Sequence, residues 1–238
     1  MAPVRVGMIG ISEGNGHPFS FSAIINGYDD EGLAQSGWPG IYEYVRRRDP
    51  SEFGVQNLVV THAWTQSRKV TADLCRACNI DHAARSYEDM LGNIDALVIA
   101  RDDYETHLEL ARPFLEAGLP VFVDKPLAVD LEELRYFKPY LERGKLMSCS
   151  GMRYARELDE VRAALRDQDG LALLRGAIVN SWEKYGVHLI DALLGISKAR
   201  PVSVVALEAS HCSMAVSMDD GSLMQIDTLG SISGCFRI

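Results

Sequence analysis

The sequence has little of what marks membrane, secreted or nucleic-acid-binding proteins. Its 238 residues contain no apolar run near the ~18 residues that a membrane span needs. The first residues, Met-Ala-Pro-Val-Arg-Val, have no signal-peptide pattern. The 33 acidic residues outnumber the 24 Lys and Arg, and the net charge of −9 disfavours phosphate backbones as partners. These absences predict a cytoplasmic protein that binds neither nucleic acid nor membrane.

Cysteine is also scarce and has no regular spacing. The five cysteines are scattered and odd in number, which predicts neither a disulfide framework nor a metal site. Cys75 and Cys78 do form a C-x-x-C, but within a predicted helix. Two small buried thiols one turn apart is the interpretation we prefer over a redox or zinc site.

Short apolar runs alternate with helical patterns up to about residue 151. This alternation predicts α/β architecture with a doubly wound parallel sheet, in which ligands bind at the carboxyl ends of the strands. Residues 28–54, interrupted by Gly and Pro, are predicted to be irregular. The predicted strands are 4–11, 57–64, 94–100, 119–123 and 146–150, and the predicted helices are 19–27, 67–78, 103–117 and 131–143, with a helical turn at 87–91.

Residues 152–238 predict a short C-terminal α+β domain with an open antiparallel or mixed sheet. Asp219-Asp220-Gly221 is a hairpin signal between its last two strands. Because an open sheet leaves edges uncovered, we expect a homodimer or homotetramer formed through it. The predicted helices are 157–166 and 186–194, and the predicted strands are 171–182, 202–210, 211–218 and 222–229.

A glycine-rich turn follows the first predicted strand. Glycines there let the backbone approach the pyrophosphate of a dinucleotide, whose charge a helix N-terminus stabilises. The spacing is not G-x-G-x-x-G, so an ordinary glycine-rich turn is the alternative. The candidate cofactor-binding residues of this turn are Gly10, Ile11, Ser12, Gly14 and Gly16.

The second predicted strand ends without the carboxylate that commonly holds an adenosine ribose. Thr65, Ser67 and Arg68 stand there instead. Ser67 and Arg68 are suited to a 2′-phosphate, which favours NADP over NAD slightly. The alternative is a serine that caps a helix, followed by a solvated arginine.

Three segments together resemble the glucose–fructose oxidoreductase / inositol dehydrogenase family (Gfo/Idh/MocA). The most specific is Glu-Ala-Gly-Leu-Pro-Val-Phe-Val-Asp-Lys-Pro-Leu-Ala at 116–128, which is similar to the family's E-A-G-x-x-V-x-V-E-K-P-L-A. Tyr-Glu-Asp-Met-Leu at 87–91, followed by the apolar run at 94–100 and by His107, is the second. Gly-Val-His-Leu-Ile-Asp at 186–191 resembles the family's G-x-H-x-x-D.

The resemblance implies a Rossmann domain, residues 1–151, followed by an α+β domain, residues 152–238, that binds substrate and mediates oligomerisation. It implies oxidation or reduction at a secondary alcohol or ketone of a sugar, cyclitol or sugar derivative, with NAD or NADP as cofactor. Lys125 and His188 correspond to the family's catalytic pair. Arg101, His107 and Asp124, with Lys125, are expected beside the cofactor.

The chemistry of the residues agrees with this expectation. Alcohol oxidation needs a group that removes the hydroxyl proton and a cation near the developing alkoxide, and Lys125 at a strand end suits both tasks. The alternative for Lys125 is an ion pair with Asp124, and for His188 a hydrogen-bonded core histidine. Asp191, one turn beyond His188, either orients it or caps a local network.

The sequence departs from the family pattern in ways that affect these roles. Asp124 replaces Glu, Arg101-Asp102-Asp103 replaces A-T-P, and Lys184 stands where many members carry an Asp. Lys184 either faces an anionic substrate as a further catalytic residue or points to solvent, leaving the polar role to Tyr185. The second domain is shorter than usual, so the sheet is reduced or the chain truncated.

Two other functions stay open on the sequence alone. One is a non-catalytic nucleotide- or sugar-binding regulatory protein on the same fold, which the loss of the Asp before His188 and the short second domain suggest. The other is a glycosidase that retains its NAD and oxidises its substrate only transiently.

Overall fold

The structure is a computed structural model that describes residues 2–165 and 171–231. The chain divides into two compact units, residues 1–148 and 149–238. The sequence prediction put this boundary slightly later, after residue 151. Within the described ranges, no helix combines the length and apolar character that crossing a membrane requires.

The first unit is built on a six-stranded sheet in the order β3-β2-β1-β4-β5-β6. Every pair of neighbouring strands is parallel. The chain winds outward from β1 to one edge, returns to β4 and winds to the other edge, which confirms the predicted doubly wound topology. The strands are β1 (Val4–Ile9), β2 (Leu58–Trp64), β3 (His82–Ala83), β4 (Ala96–Ile99), β5 (Val121–Val123) and β6 (Leu146–Met147).

Helices flank this sheet, and several begin where a polar side chain caps them. Ser67 accepts the N–H of Val70 at the start of one helix, and Asp130 accepts the N–H of Glu132 at the start of another. The helices are α1 (His17–Asn26), α2 (Asp30–Ala34), α3 (Pro39–Val45), α4 (Arg68–Ala77), α5 (His107–Glu116) and α6 (Leu131–Glu142).

The prediction that residues 28–54 are irregular is wrong in part, because the segment contains α2 and α3. Asp29 caps α2 by accepting the N–H of Gly32 at 2.6 Å. A Cβ on Gly32 would lie 3.1 Å from the Cα of Ala77 in α4. Tertiary packing therefore stabilises a short helix with a central glycine, which propensity alone disfavours.

The core of this unit consists of two apolar clusters, and adjacent residues of β1 contribute to different ones. Val6 and Met8 belong to one cluster, whereas Ile9 belongs to the other. Alternation of this kind follows from the two-residue period of a strand. The central strands are thus covered on both faces, as expected of a parallel sheet between layers of helices.

The second unit is an α+β arrangement on a four-stranded sheet in the order β7-β10-β9-β8. The sheet is mixed, because β10 pairs in parallel with β7 and antiparallel with β9. The predicted hairpin joins β9 to β10. The elements are α7 (Asp159–Ala164), β7 (Leu173–Ile178), α8 (Val187–Ile196), β8 (Pro201–Leu207), β9 (Cys212–Met218) and β10 (Leu223–Thr228).

Some predicted elements of this unit differ from the observed ones. The predicted strand 171–182 is too long, because β7 ends at Ile178 and Trp182–Gly186 forms a π-helical turn. The predicted helix 157–166 extends to a residue outside the described ones. Every residue of the edge strand β8 is exposed, including Val202 at 68%. Association through this sheet stays a prediction.

Candidate active site

Polar side chains converge at the carboxyl ends of β1, β4 and β5. These strands are neighbours around the point where the strand order reverses, with β4 between β1 and β5. Crevices outside the carboxyl ends at such a reversal are where open α/β sheets bind ligands. The residues that follow these strand ends therefore form the candidate site of the first unit.

Lys125 lies just beyond β5 and is only 6% exposed. Its Nζ is 3.9 Å from Oδ2 of Asp102, which follows β4. The hydroxyl of Ser12, in the turn after β1, donates to Oδ1 of the same carboxylate at 2.8 Å. A lysine removed from water thus has a carboxylate partner that is itself held in place, and Asp102 is a residue that the sequence prediction missed.

Asp124 is 3% exposed and accepts hydrogen bonds from three directions. Its Oδ1 accepts the backbone N–H of Lys125 at 2.9 Å. Its Oδ2 lies 2.5 Å from Nδ1 of His17 and accepts from Nδ2 of Asn15 at 3.3 Å. Asp124 is therefore a partner of the glycine-rich turn. Its contact with Lys125 is a backbone hydrogen bond, whereas Nζ of Lys125 lies 3.9 Å from the carboxylate of Asp102.

Arg101 and His107 organise the loop after β4. Arg101 is 6% exposed, and its guanidinium pairs with Asp103. His107 is fully buried, with Nε2 at 2.9 Å from the carbonyl of Arg101 and Nδ1 at 3.0 Å from the carbonyl of Leu127. Both ring nitrogens of His107 face backbone oxygens, so the ring ties the loops after β4 and β5 together. Its contact with a cofactor stays a prediction.

The glycines of the turn after β1 serve different purposes. A Cβ on Gly10 would lie 2.0 Å from Cγ of Pro18, and one on Gly16 would lie 2.5 Å from Cδ1 of Ile41. Gly14 has a φ of +73° and open space around it. Two glycines are thus required by packing within the chain, whereas Gly14 permits the left-handed backbone of the turn.

The backbone of Ile11 is tied to the residues after β2. Its N–H donates to Oε1 of Gln66 at 3.0 Å, and its carbonyl accepts from Nε2 of the same side chain at 2.8 Å. Gln66 therefore fixes the turn after β1 against the end of β2. Sequence reasoning missed this residue.

The predicted ribose-binding residues lie at this end of β2. Thr65 is buried, and its hydroxyl donates to the carbonyl of Ser67 at 2.8 Å. Ser67 is the N-cap of α4, as the alternative interpretation had it, and Arg68 is the exposed first residue of that helix. As the cap, the hydroxyl oxygen of Ser67 accepts the N–H of Val70. Its hydroxyl proton can still be donated to a phosphate oxygen.

The predicted catalytic residues of the second unit are connected through Ser150. Its hydroxyl lies 2.6 Å from Nδ1 of His188, and its backbone N–H donates to Oδ2 of Asp191 at 2.5 Å. Arg153 also bonds to Asp191, at 3.4 Å. Ser150 therefore links His188 to Asp191, and direct orientation of His188 by Asp191 stays a prediction. Ser150 is fully buried, so this Ser-His-Asp set does not present a nucleophile.

Lys184 lies in the π-helical turn that precedes α8. Its backbone N–H donates to Oγ of Ser181 at 3.4 Å, and its side chain is half-buried. Tyr185, the next residue, packs edge-on against the ring of His188 with centroids 5.5 Å apart. Short π-helical turns are frequent at functional sites, which is consistent with the role predicted for this segment.

Burial makes the thiols of the C-x-x-C segment poor nucleophiles and poor metal ligands. Burial raises the pKa of Cys75 to about 11 and that of Cys78 to about 12, so both remain protonated thiols near neutral pH. Over the described ranges, no group of three or more His, Cys, Asp and Glu side chains is arranged to hold a metal ion.

Residues 4–150 match a family model described as an oxidoreductase family with an NAD-binding Rossmann fold, GFO_IDH_MocA. The chain belongs to this family. A comparison with curated proteins gives no match. The fold of the whole chain is also similar to those of solved dehydrogenases.

Inositol dehydrogenases are among these structures. Myo-inositol 2-dehydrogenase from Lactobacillus plantarum has a TM-score of 0.71 at 16% identity, over 96% of this chain and 70% of that one. Scyllo-inositol dehydrogenase from Lactobacillus casei, solved with NAD(H) and scyllo-inositol, has a TM-score of 0.64 at 14% identity, over 98% and 71%. A UDP-N-acetylglucosamine 3-dehydrogenase from Acidithiobacillus ferrooxidans has a TM-score of 0.67 at 16% identity, over 98% of this chain and 72% of that one.

The donors at the site fit the dinucleotide of an NAD-binding Rossmann family. The hydroxyl of Ser67 and the guanidinium of Arg68 follow the carboxyl end of β2. Gly14 leaves the turn open, with no atom within 4 Å of the position of a Cβ. The site therefore has cationic and hydroxyl donors where a phosphate-bearing ligand binds in this fold.

Several residues of the site had only indirect signals in the sequence. Asp102 belongs to the charged Arg-Asp-Asp run that replaces the family's A-T-P, and His17 belongs to an unusual Gly-His-Pro after the glycine-rich turn. Asn15 and Ser150 had none, because their partners are distant in sequence. Asp102 thus lies within a segment that sequence analysis marked as a departure from the family pattern, although its role was not predicted.

Proposed function

We propose that this chain is an NAD- or NADP-dependent oxidoreductase that interconverts a secondary alcohol and a ketone on a sugar, cyclitol or sugar derivative. The observation that carries the proposal is the buried Lys125 at the carboxyl end of β5, with Asp102 3.9 Å from its Nζ. The inositol and nucleotide-sugar dehydrogenases among the similar structures support this substrate class.

The bound nicotinamide would accept the hydride of the alcohol carbon, and the protein would manage the proton. In alcohol oxidation, Nζ of Lys125 accepts the hydroxyl proton as an amine and becomes an ammonium. Asp102 stabilises that ammonium by its charge. In ketone reduction the ammonium donates the proton to the developing alkoxide, so the same pair serves both directions.

We assign cofactor binding to the turn after β1, to the residues after β2, and to the loops that hold Arg101 and Asp124. NADP is slightly favoured over NAD, because Ser67 and the exposed Arg68 begin α4 and no carboxylate stands beside them. A 2′-phosphate would be paired with the guanidinium, and a ribose diol would lack its usual acidic partner.

In the second unit we propose that His188 assists Lys125 by hydrogen-bonding the reacting oxygen of the substrate and that Ser150 positions its ring. Ser150 lies 2.6 Å from Nδ1, so the ring has a defined orientation. Lys184, which replaces the family's Asp, suits a substrate that bears a carboxylate or phosphate. Asp191 accepts the backbone N–H of Ser150 and so acts on His188 through Ser150, without contacting the substrate.

The first test separates cofactor binding from turnover. NADH and NADPH should quench tryptophan fluorescence, because Trp64 ends β2 and Trp38 packs at Gly16 of the glycine-rich turn. In Lys125→Ala, quenching should persist, while kcat for a polyol that the wild type oxidises falls about 10²–10⁴-fold, the usual contribution of acid–base catalysis.

Lys69→Ala is the matched control, because Lys69 is an exposed lysine of α4 whose side chain is 85% accessible. It should leave both quenching and kcat unchanged. If neither cofactor quenches the wild type at high micromolar concentration, the proposed function is wrong. Full turnover by Lys125→Ala would remove Lys125 from the chemistry.

A further inference from the structure

The first three residues of α1 offer no free backbone N–H. His17 donates its N–H to Oδ1 of Asn15 at 2.8 Å, Pro18 has none, and Phe19 donates to the carbonyl of Gly16 at 3.0 Å. In doubly wound folds these groups are the usual partners of a dinucleotide's pyrophosphate. Other donors must take that role in this chain.

The space beside the turn is also used differently from an open glycine-rich loop. The ring of Pro18 lies over Gly10, where a Cβ would be 2.0 Å from its Cγ. Trp38 and Ile41 occupy the space beside Gly16. Side chains of this chain therefore fill the space beside the backbone at these two glycines.

The imidazole of His17, the first residue of α1, has a fixed orientation. Nδ1 of His17 is 2.5 Å from Oδ2 of Asp124, and its ring stacks on Phe21 with centroids 5.1 Å apart. The carboxylate is 4% exposed, whereas the imidazole is 38% exposed. Nδ1 thus faces the interior, and no bond from Nε2 to another described residue is found.

We propose that Nε2 of His17 donates a hydrogen bond to a phosphate oxygen of the dinucleotide's pyrophosphate, in place of the helix N–H groups. The inference rests on the proposed function, which supplies the dinucleotide. With Nδ1 held at Asp124, Nε2 is the ring nitrogen that a phosphate oxygen can reach.

A second pair of charged groups lies at the same edge of the sheet. Lys125 follows Asp124 and is directed to Asp102, whose other oxygen accepts the hydroxyl of Ser12. Asp124 thus contacts His17, and Asp102 contacts Lys125. This division assigns His17 to the cofactor and Lys125 to the reacting oxygen.

Two substitutions separate the two nitrogens of the ring. In His17→Asn the amide can replace Nδ1 toward Asp124 but nothing replaces Nε2, while in His17→Gln the amide reaches the position of Nε2 and the bond to Asp124 is lost. The ligands are the reduced cofactor that the wild type binds more tightly and ADP-ribose, which carries the pyrophosphate without nicotinamide. Isothermal titration calorimetry gives both affinities.

His17→Asn should raise Kd for the cofactor and for ADP-ribose by the same factor, about 10- to 100-fold, as expected for loss of a charge-assisted hydrogen bond. His17→Gln should bind both ligands more tightly than His17→Asn. His82→Asn, at an exposed histidine of β3, should match the wild type. Thermal melts establish that each variant is folded.

Three results would overturn the inference. Unchanged affinities in His17→Asn would make the ring a structural partner of Asp124. Unchanged affinities with a large loss of kcat would assign it to proton transfer. Weakened cofactor binding with unchanged ADP-ribose binding would place it at the nicotinamide. A wild type that binds neither ligand would instead refute the proposed function, so the two failures are distinguishable.

Discussion

Lys125 carries an ionisable group that is almost completely removed from water. Its side chain is 7% exposed, and the carboxylate of Asp102 3.9 Å away is 13% exposed. A buried charge is tolerated when an opposite charge and hydrogen bonds accompany it, and the hydroxyl of Ser12 supplies one of these bonds to Asp102. At the scale of single residues, the site is therefore a set of compensated charges.

Arg68 gives a residue-scale test of cofactor choice. If its guanidinium meets a 2′-phosphate, Arg68→Ala should raise Kd for NADPH about 10-fold or more and leave Kd for NADH unchanged, because only NADPH carries that phosphate. Fluorescence titrations with both cofactors measure the ratio. Lys69→Ala, the adjacent exposed position, is the control. Equal affinities for NADPH in Arg68→Ala and wild type would mean that Arg68 is simply solvated.

The placement of Lys125 at the end of a strand was predictable because it depends only on neighbouring residues in the sequence. An apolar run of five residues followed by Asp-Lys-Pro puts a lysine at a strand end whatever surrounds it. The partners of this lysine are not local, since Asp102 and Ser12 come from two other strand ends. His17 and Asp124 meet only because α1 begins at the edge of the sheet where β5 ends, and sequence spacing does not encode that distance.

At the scale of elements, β1 and the segment before β4 are linked by an exposed ion pair. Arg5 donates to both oxygens of Asp95, through Nη2 at 2.8 Å, Nε at 3.0 Å and its backbone N–H at 2.9 Å. The side-chain hydrogen bonds from Arg5, followed by the backbone one, lower the pKa of Asp95 to about 2.

This pair predicts a defined dependence of stability on pH. Because the pKa of Asp95 is lower in the folded state, its contribution to the free energy of unfolding is complete above the unfolded pKa of about 4 and is lost as pH falls toward about 2. The difference in urea midpoint between wild type and Asp95→Asn should be constant from pH 5 to 8 and shrink below pH 4. A difference that persists or grows on acidification would contradict this account.

Elements were predictable where periodicity was strong and ambiguous where packing decides. The strands and long helices of the first unit follow from apolar runs and capping residues. Helices α2 and α3 were missed, because Gly32 and Gly40 lie within them and their stability depends on contacts such as the one between Gly32 and α4. The antiparallel or mixed sheet predicted for the second unit is confirmed, but the parallel pairing of β7 with β10 was not predicted, since it joins segments far apart in sequence.

At the scale of the whole molecule, the chain combines a Rossmann unit with a mixed-sheet unit, as its family does. The structural match to an inositol dehydrogenase covers 96% of this chain and 70% of that one at 16% sequence identity, so the fold is similar although the sequences differ. Chemistry is carried by particular side chains rather than by the fold. The central claim, hydride transfer assisted by Lys125, therefore needs a measurement on the reaction itself.

Transfer of deuterium provides that measurement. NADH or NADPH labelled at one face of C4 of the nicotinamide is incubated with the protein and a panel of keto-sugars and inosose ketones, and the products are analysed by mass spectrometry. The account predicts deuterium on the carbinol carbon of one product from one labelled face only, with the rate reduced about 10²–10⁴-fold in Lys125→Ala. Cofactor binding without deuterium transfer to any ketone, or equal transfer by Lys125→Ala, would contradict it.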